Sequence, residues 1–301
     1  MPMRGGRTGN AMATLHTKNA ARTMMAPAVI VLLIWMIVPL AMTLYFSTLN
    51  YTLYNPFSTP FVGFENYSYF LADPTFLAAL ANTLVLVLGV LAITVIGGIL
   101  IALLLDQDFY GVNIVRLLVI APFFVMPTVA ALVWKNMMMN PVYGVIGQLL
   151  QAIGIAPIDW MTDVPLLSIV IIVAWQWLPF ATLILLTALQ SLSTDQKEAA
   201  EMDGAGALSI FWYITLPHMS RAITVVILIQ TIFLLSIYAE ILVTTQGGPG
   251  SQSTNITYLV AQQATSYGDI GAASAGGIVA VILANIVAIF LVRLIGKNLD
   301  A

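Results

Sequence analysis

The chain has 301 residues, 60% of them hydrophobic and 8% charged, with a formal net charge of −3. Soluble domains run at about 45–50% apolar and about 25% charged, so a water-soluble globule with a polar surface is excluded. There is no cysteine, which removes disulfides and thiolate metal sites, and the two histidines, His16 and His218, are too few for a histidine-built metal centre.

A hydrocarbon core of about 30 Å needs about 20 apolar residues of helix. Six segments meet this requirement, at 26–49, 77–105, 117–137, 165–189, 222–243 and 271–292. The predicted fold class is therefore all-α and integral to the membrane, with six transmembrane helices. Residues 1–25 read as a polar N-terminal tail, with Met12 as an alternative start. The first apolar run is too long for a signal peptide and no small-residue cleavage site follows it. Residues 26–76 hold the first helix and an outer loop rich in aromatics, from Tyr51 to Phe70. Such residues anchor at the lipid interface or dock a soluble partner. In the second segment Gly97-Gly98 marks a place to bend or to pack closely.

Nine of the ten basic residues fall on one side of this arrangement. They are Arg4, Arg7, Lys18, Arg22, Arg116, Lys197, Arg221, Arg293 and Lys297, and only Lys135 lies opposite. The positive-inside rule puts that side, and both termini, in the cytoplasm. No basic run is long enough to imply nucleic acid.

The fourth segment carries Trp175-Gln176-Trp177. An aromatic face suits a sugar ring, and an amide both donates and accepts; Trp175 and Gln176 are candidates for a solute pathway, beside the packing role that such residues also fill.

Residues 190–221 form the longest predicted cytoplasmic loop. Ser193 and Gln196 have capping-box spacing, and Asp195 sits where a helix dipole favours a negative charge. Lys197 and Glu201 form an i,i+4 pair, and Gly204 suits the left-handed residue past a helix end. A second amphipathic stretch from Ala207 to Ile214 should end at Pro217. The loop is predicted to fold as two short helices around a sharp turn.

An ionisable residue inside a span is costly and by default functional. Glu240 is the clear case, near the outer end of the fifth segment. Ser236 and Glu240, four apart, would share a helix face, with Tyr238 nearby. A carboxylate and hydroxyls suit a polyol, whose own hydroxyls need partners once water is removed. The alternative is that Glu240 reaches water or a neighbouring subunit. Asn82 and Asn285 suit interhelical hydrogen bonds.

The loop carries a further pattern: Glu198-Ala199-Ala200, then Gly204, then Ile214-Thr215-Leu216-Pro217. In composition and spacing it resembles the cytoplasmic motif of the permeases of binding-protein-dependent ABC importers. Gly63-Phe64-Glu65-Asn66-Tyr67 is similar to a patch of the carbohydrate branch of that family, which includes the maltose and glycerol-phosphate permeases. Phe76, Ala79-Leu80, Asn82-Thr83-Leu84 and Gly247-Gly248-Pro249 extend the likeness, within which the sorbitol and mannitol permeases are most similar. Gly147 departs from it, where many relatives have Asn, and implies a locally different turn.

The resemblance implies a permease core over residues 77–301 in a bacterial inner membrane, with no catalytic or metal site. Its implied partners are two ATPase subunits, a second, non-identical permease, an external solute-binding protein and a sugar or polyol. ATP and Mg²⁺ would bind the ATPase, since this chain has no Gly-x-x-x-x-Gly-Lys-Ser/Thr loop. The 193–217 turn would couple to the ATPase. There Glu198 would offer a carboxylate, Ala199 and Ala200 close approach, Gly204 the turn, and Met202 and Leu208 apolar contacts. Ile214, Leu216 and Pro217 complete the motif. A secondary carrier is the rival reading, although no internal repeat is visible. An intramembrane enzyme lacks a nucleophile–base pattern.

Overall fold

The computed structural model describes residues 8–296. Arg4, Arg7 and Lys297 of the charge argument lie outside them. Among the described residues the regular secondary structure is helical, with isolated bridges at Leu49–Phe61 and Thr52–Asp269 but no strand.

Among the described residues, five helices are long and apolar enough to cross a membrane: Arg22–Phe46, Phe76–Leu105, Pro165–Gln190, Ala207–Leu234 and Ile270–Phe290. A sixth span exists only as a broken pair, Val112–Phe124 and Pro127–Met138, which meet at 105°. We number these spans one to six in chain order. Three boundaries differ from expectation. The polar stretch after residue 7 is helical and runs into span one, since one helix extends from Thr8 to Phe46. The third segment is not straight: Val125 and Met126 are extended (ψ 130° and 137°), and Pro127, with no N–H to give, opens a new helix. The fifth segment starts at Ala207 and stops at Leu234. Only a five-residue helix, Ala239–Val243, follows it.

Span four is the centre of the bundle: 61% of its most apolar window is buried, against none of span one's. One core cluster packs Leu86 and Val90 of span two against Ile169 and Val173 of span four and Ile241. A second packs Ala102 and Leu105 against Ala181, Leu185 and Met219. Gly97 and Gly98 do not interrupt span two. They allow its backbone to lie against span four, where a Cβ on Gly98 would meet Ala181 and Leu185 at 3.1 and 3.2 Å.

The segments between spans are tied by side chains. Asn66 Nδ2 donates to the carbonyls of Ser47 and Leu49 (2.9 and 2.8 Å), and Tyr67 Oη hydrogen-bonds Ser47 Oγ. The Asn-Tyr patch thus closes the loop after span one. Asn82 Nδ2 holds the carbonyls of Ser251 and Thr254 across the fold. Asn285, by contrast, donates to the Val281 carbonyl of its own helix. Gly147 is buried on a short helix, Val145–Ala152. A Cβ there would come within 2.8 Å of the Asn140 and Pro141 carbonyl oxygens, which accounts for glycine.

Candidate functional site

Two places gather the residues singled out by sequence: the turn between spans four and five, and a cavity at the other end of span five.

At the turn, Ser193 is extended at the N-cap of helix Thr194–Met202, and Asp195 lies in the first turn. The expected capping box is not made: no side-chain cap bond forms, and Gln196 N–H meets the Ser193 carbonyl at 3.3 Å. The helix ends as predicted. Gly204 takes φ +86°, Gly204 N–H reaches the Glu201 carbonyl (3.0 Å), and Ala205 N–H reaches that of Ala200 (2.9 Å). This pair of bonds is the Schellman arrangement, which satisfies carbonyls the helix would leave orphaned. Glu198, Ala199 and Gly204 are exposed and Ala200 is half-buried. Met202 and Leu208 are 88% and 72% exposed, costly for apolar side chains in water.

Lys197 does not pair with Glu201. Its ammonium lies 3.3 Å from Asp106 Oδ2 at the end of span two. Pro217 does not end the second helix either. A wider π turn, Phe211–Thr215, precedes it, and Leu216 N–H bonds the carbonyl of Phe211, five residues back. The extra residue lets Pro217 enter the next helix at its first turn, where its missing N–H breaks no bond. Helix and span are therefore continuous from Ala207. Ile214 and Leu216 are half-buried and Pro217 is exposed. His218 Nε2 lies 2.9 Å from Ser191 Oγ, joining the start of span five to the end of span four.

The cavity, of about 650 Å³, forms where two helix breaks meet. Phe123, Val125 and Pro127 line it from the break in span three, and Gln176, Trp177 and Phe180 from span four. Phe233, Ser236, Ile237, Tyr238, Ala239 and Glu240 line it from the end of span five. Irregular backbone is tolerated at membrane depth only where its polar groups find partners or line a cavity. Both conditions hold. The Val125 carbonyl accepts from Gln176 Nε2 at 2.7 Å. The Leu235 carbonyl accepts from Thr257 Oγ1 and the Ile237 carbonyl from Asn255 Nδ2, each at 2.7 Å. Lys135 Nζ donates to the carbonyls of Val243 and Thr244 (3.1 and 2.7 Å), capping the five-residue helix that carries Glu240. A cation is favoured at that helix end.

Gln176, Ser236, Tyr238 and Glu240 are thus brought together. Gln176 is 6% exposed, and its Oε1 is buried with no hydrogen-bond partner. Glu240 is 3% exposed. Ser236 and Glu240 do not share a helix face: Ser236 lies in the break, bonded to the Phe233 carbonyl, and Glu240 lies on the next helix. Trp175 is absent from the lining. One residue before Gln176, it points about 100° away and packs edge-on against Trp134 at 5.8 Å. Trp177 takes the place expected of it. Its ring centroid lies 5.1 Å from that of Phe233 and 5.8 Å from that of Phe123. Its spacing of three from Phe180 was the available signal. Behind the lining, Thr94 Oγ1 donates to Gln230 Oε1 (2.6 Å) and Gln230 Nε2 to the Trp177 carbonyl (3.1 Å). Spans two, four and five are joined at this point.

Residues 74–301 match the family described as binding-protein-dependent transport system inner membrane component. A probable ABC transporter permease protein, y4oQ of Sinorhizobium fredii, is 34% identical over 251 residues, covering 83% of this chain and 81% of that protein. The trehalose/maltose transport system permease protein MalF of Thermococcus litoralis is 32% identical over 263 residues, covering 86% and 88%. In fold, the chain is similar to a bacterial ABC transporter involved in the import of the acidic polysaccharide alginate. The TM-score is 0.78 at 22% identity, over 96% of this chain and 99% of that one. The chain belongs to the binding-protein-dependent transport system inner membrane components, a family of multi-pass membrane permeases.

Proposed function

We propose that the chain is a transmembrane subunit of an ATP-driven importer and forms part of the pathway for a sugar or polyol delivered by an external binding protein. The observation that carries this reading is the course of span five. It begins at the exposed Glu198–Leu208 turn and ends at a cavity lined by aromatic rings, an amide, hydroxyls and a carboxyl group. Those are the groups that a hydroxyl-rich, partly apolar solute needs. The family membership and the trehalose/maltose relative support it.

In this reading the 193–217 turn docks on one of two ATPase subunits, which bind ATP and Mg²⁺. The chain pairs with a second, homologous permease in a bacterial inner membrane, with both termini cytoplasmic. ATP shifts the spans between inward- and outward-open arrangements only if it favours one of them. Sorbitol- and mannitol-like polyols are the favoured solutes on the sequence likeness.

Broken helices meeting at a cavity also favour a second reading, a secondary carrier. One experiment separates the two. The chain is reconstituted with its candidate ATPase, second permease and binding protein, and uptake and ATP hydrolysis are measured with Glu198→Ala beside wild type. Uptake that requires ATP, with solute-stimulated hydrolysis lost in the variant, supports the importer. Uptake that persists without the ATPase refutes it.

A further inference from the structure

The cavity has one acidic side chain and no basic one. Of its lining residues, Glu240 alone is of an ionisable acidic or basic type, and it is 3% exposed. The cation on the neighbouring Pro127–Met138 element, Lys135, directs its ammonium away to the Val243 and Thr244 carbonyls. Trp177, Phe233 and Tyr238 line the same cavity, and the face of an aromatic ring is negative and suits C–H groups or a cation. Gln176 adds a buried Oε1 without a donor, an acceptor where an anion would need a donor. Its Nε2 is already engaged by Val125.

We infer that this cavity selects solutes by charge, admitting neutral sugars and polyols and excluding acidic ones, with Glu240 as the residue that sets the exclusion. The inference rests on the sugar-import reading above and narrows its substrate class. The physical basis is the cost of an unpaired buried charge. An acidic saccharide would leave water for a low-dielectric cavity without meeting a counter-charge. A carboxylate at Glu240 would add direct repulsion. Such exclusion is not a property of the fold, since a protein of the same fold is involved in the import of the acidic polysaccharide alginate.

The test uses the full chain in lipid nanodiscs, so that a binding protein's own selectivity does not enter. Equilibrium binding of two matched pairs is measured: maltose with maltobionate, and sorbitol with gluconate. Wild type should bind at least one neutral member at least about 100-fold better than its acidic counterpart, the size expected when an ion is buried unpaired. Glu240→Gln should narrow that ratio by about 10-fold or more by removing the like charge. Glu240→Asp, which keeps the charge, should preserve it and guards against a general folding defect. Acidic and neutral members bound equally by wild type would overturn the inference and leave the sugar reading intact. An unchanged ratio in Glu240→Gln would also overturn it. Binding of neither neutral solute by the chain would overturn this inference, and only loss of sugar and polyol uptake by the reconstituted transporter would remove the sugar reading as well.

Discussion

Gly204 offers the sharpest test of the turn. Its φ of +86° places it in the left-handed region, and a Cβ added there would meet no atom within 4 Å. Steric crowding therefore contributes nothing, and the cost of Gly204→Ala is the backbone term alone, about 1–2 kcal/mol. That corresponds to a factor of roughly 5–30 in the population of the native turn. Gly204→Asn should cost less, because Asn visits the left-handed region. Gly204→Pro should cost most: its φ is fixed near −65° and it loses the N–H that bonds Glu201. The assay is solute-stimulated ATP hydrolysis in the reconstituted transporter, with insertion checked by protease protection. The expected order of activity is wild type, Asn, Ala, Pro. Equal stimulation in all four would refute the argument that this turn must be held left-handed to couple.

Three further predictions follow from packing and hydrogen bonding. Gln230→Leu breaks the Thr94–Gln230–Trp177 junction and should lower stability in mixed micelles by about 0.6–2 kcal/mol, the range of interhelical hydrogen bonds in membranes. Lys135→Met leaves the Val243 and Thr244 carbonyls without their ammonium, and a five-residue helix cannot hold itself. Solute uptake should fall about 10-fold, as loss of charged hydrogen bonds implies, and Lys135→Arg should recover part of it. Gly276→Ala would put a Cβ 2.6 Å from the Phe70 ring and should lower thermal stability by about 1–3 kcal/mol. Gly277→Ala meets nothing within 4 Å and should be neutral or slightly stabilising. Thermal unfolding of the two variants side by side checks the pair.

The parts of this structure legible in the sequence are those decided locally. Hydropathy alone located spans two, four and six within a few residues. Gly204 announced its own turn, because a left-handed residue is a property of one position. The breaks were harder. Pro127 was a visible signal in span three, yet a hydropathy window sums over a kink without registering it. The break after Leu234 has no proline or glycine to mark it. It stands because Thr257 and Asn255, about twenty residues on, hold the freed carbonyls. Lys197 chose Asp106 over Glu201 for the same kind of reason, since a partner 91 residues away is closer in space. Trp175 and Trp177 differed only in the phase of span four, which nothing in that segment's composition fixes.

The continuity of span five through Pro217 has a mechanical consequence. Residues Ala207–Leu234 number 28, and at 1.5 Å per residue they make a lever about 42 Å long. One end carries the exposed turn and the other carries Phe233 at the cavity wall. A tilt of about 10° about the turn end would swing the far end by roughly 7 Å over that length. A hydrogen bond tolerates only a few tenths of an ångström. If span five moves as one rigid body, a small rotation imposed at the turn would be enough to break contact at the cavity, with no relay of side chains between them.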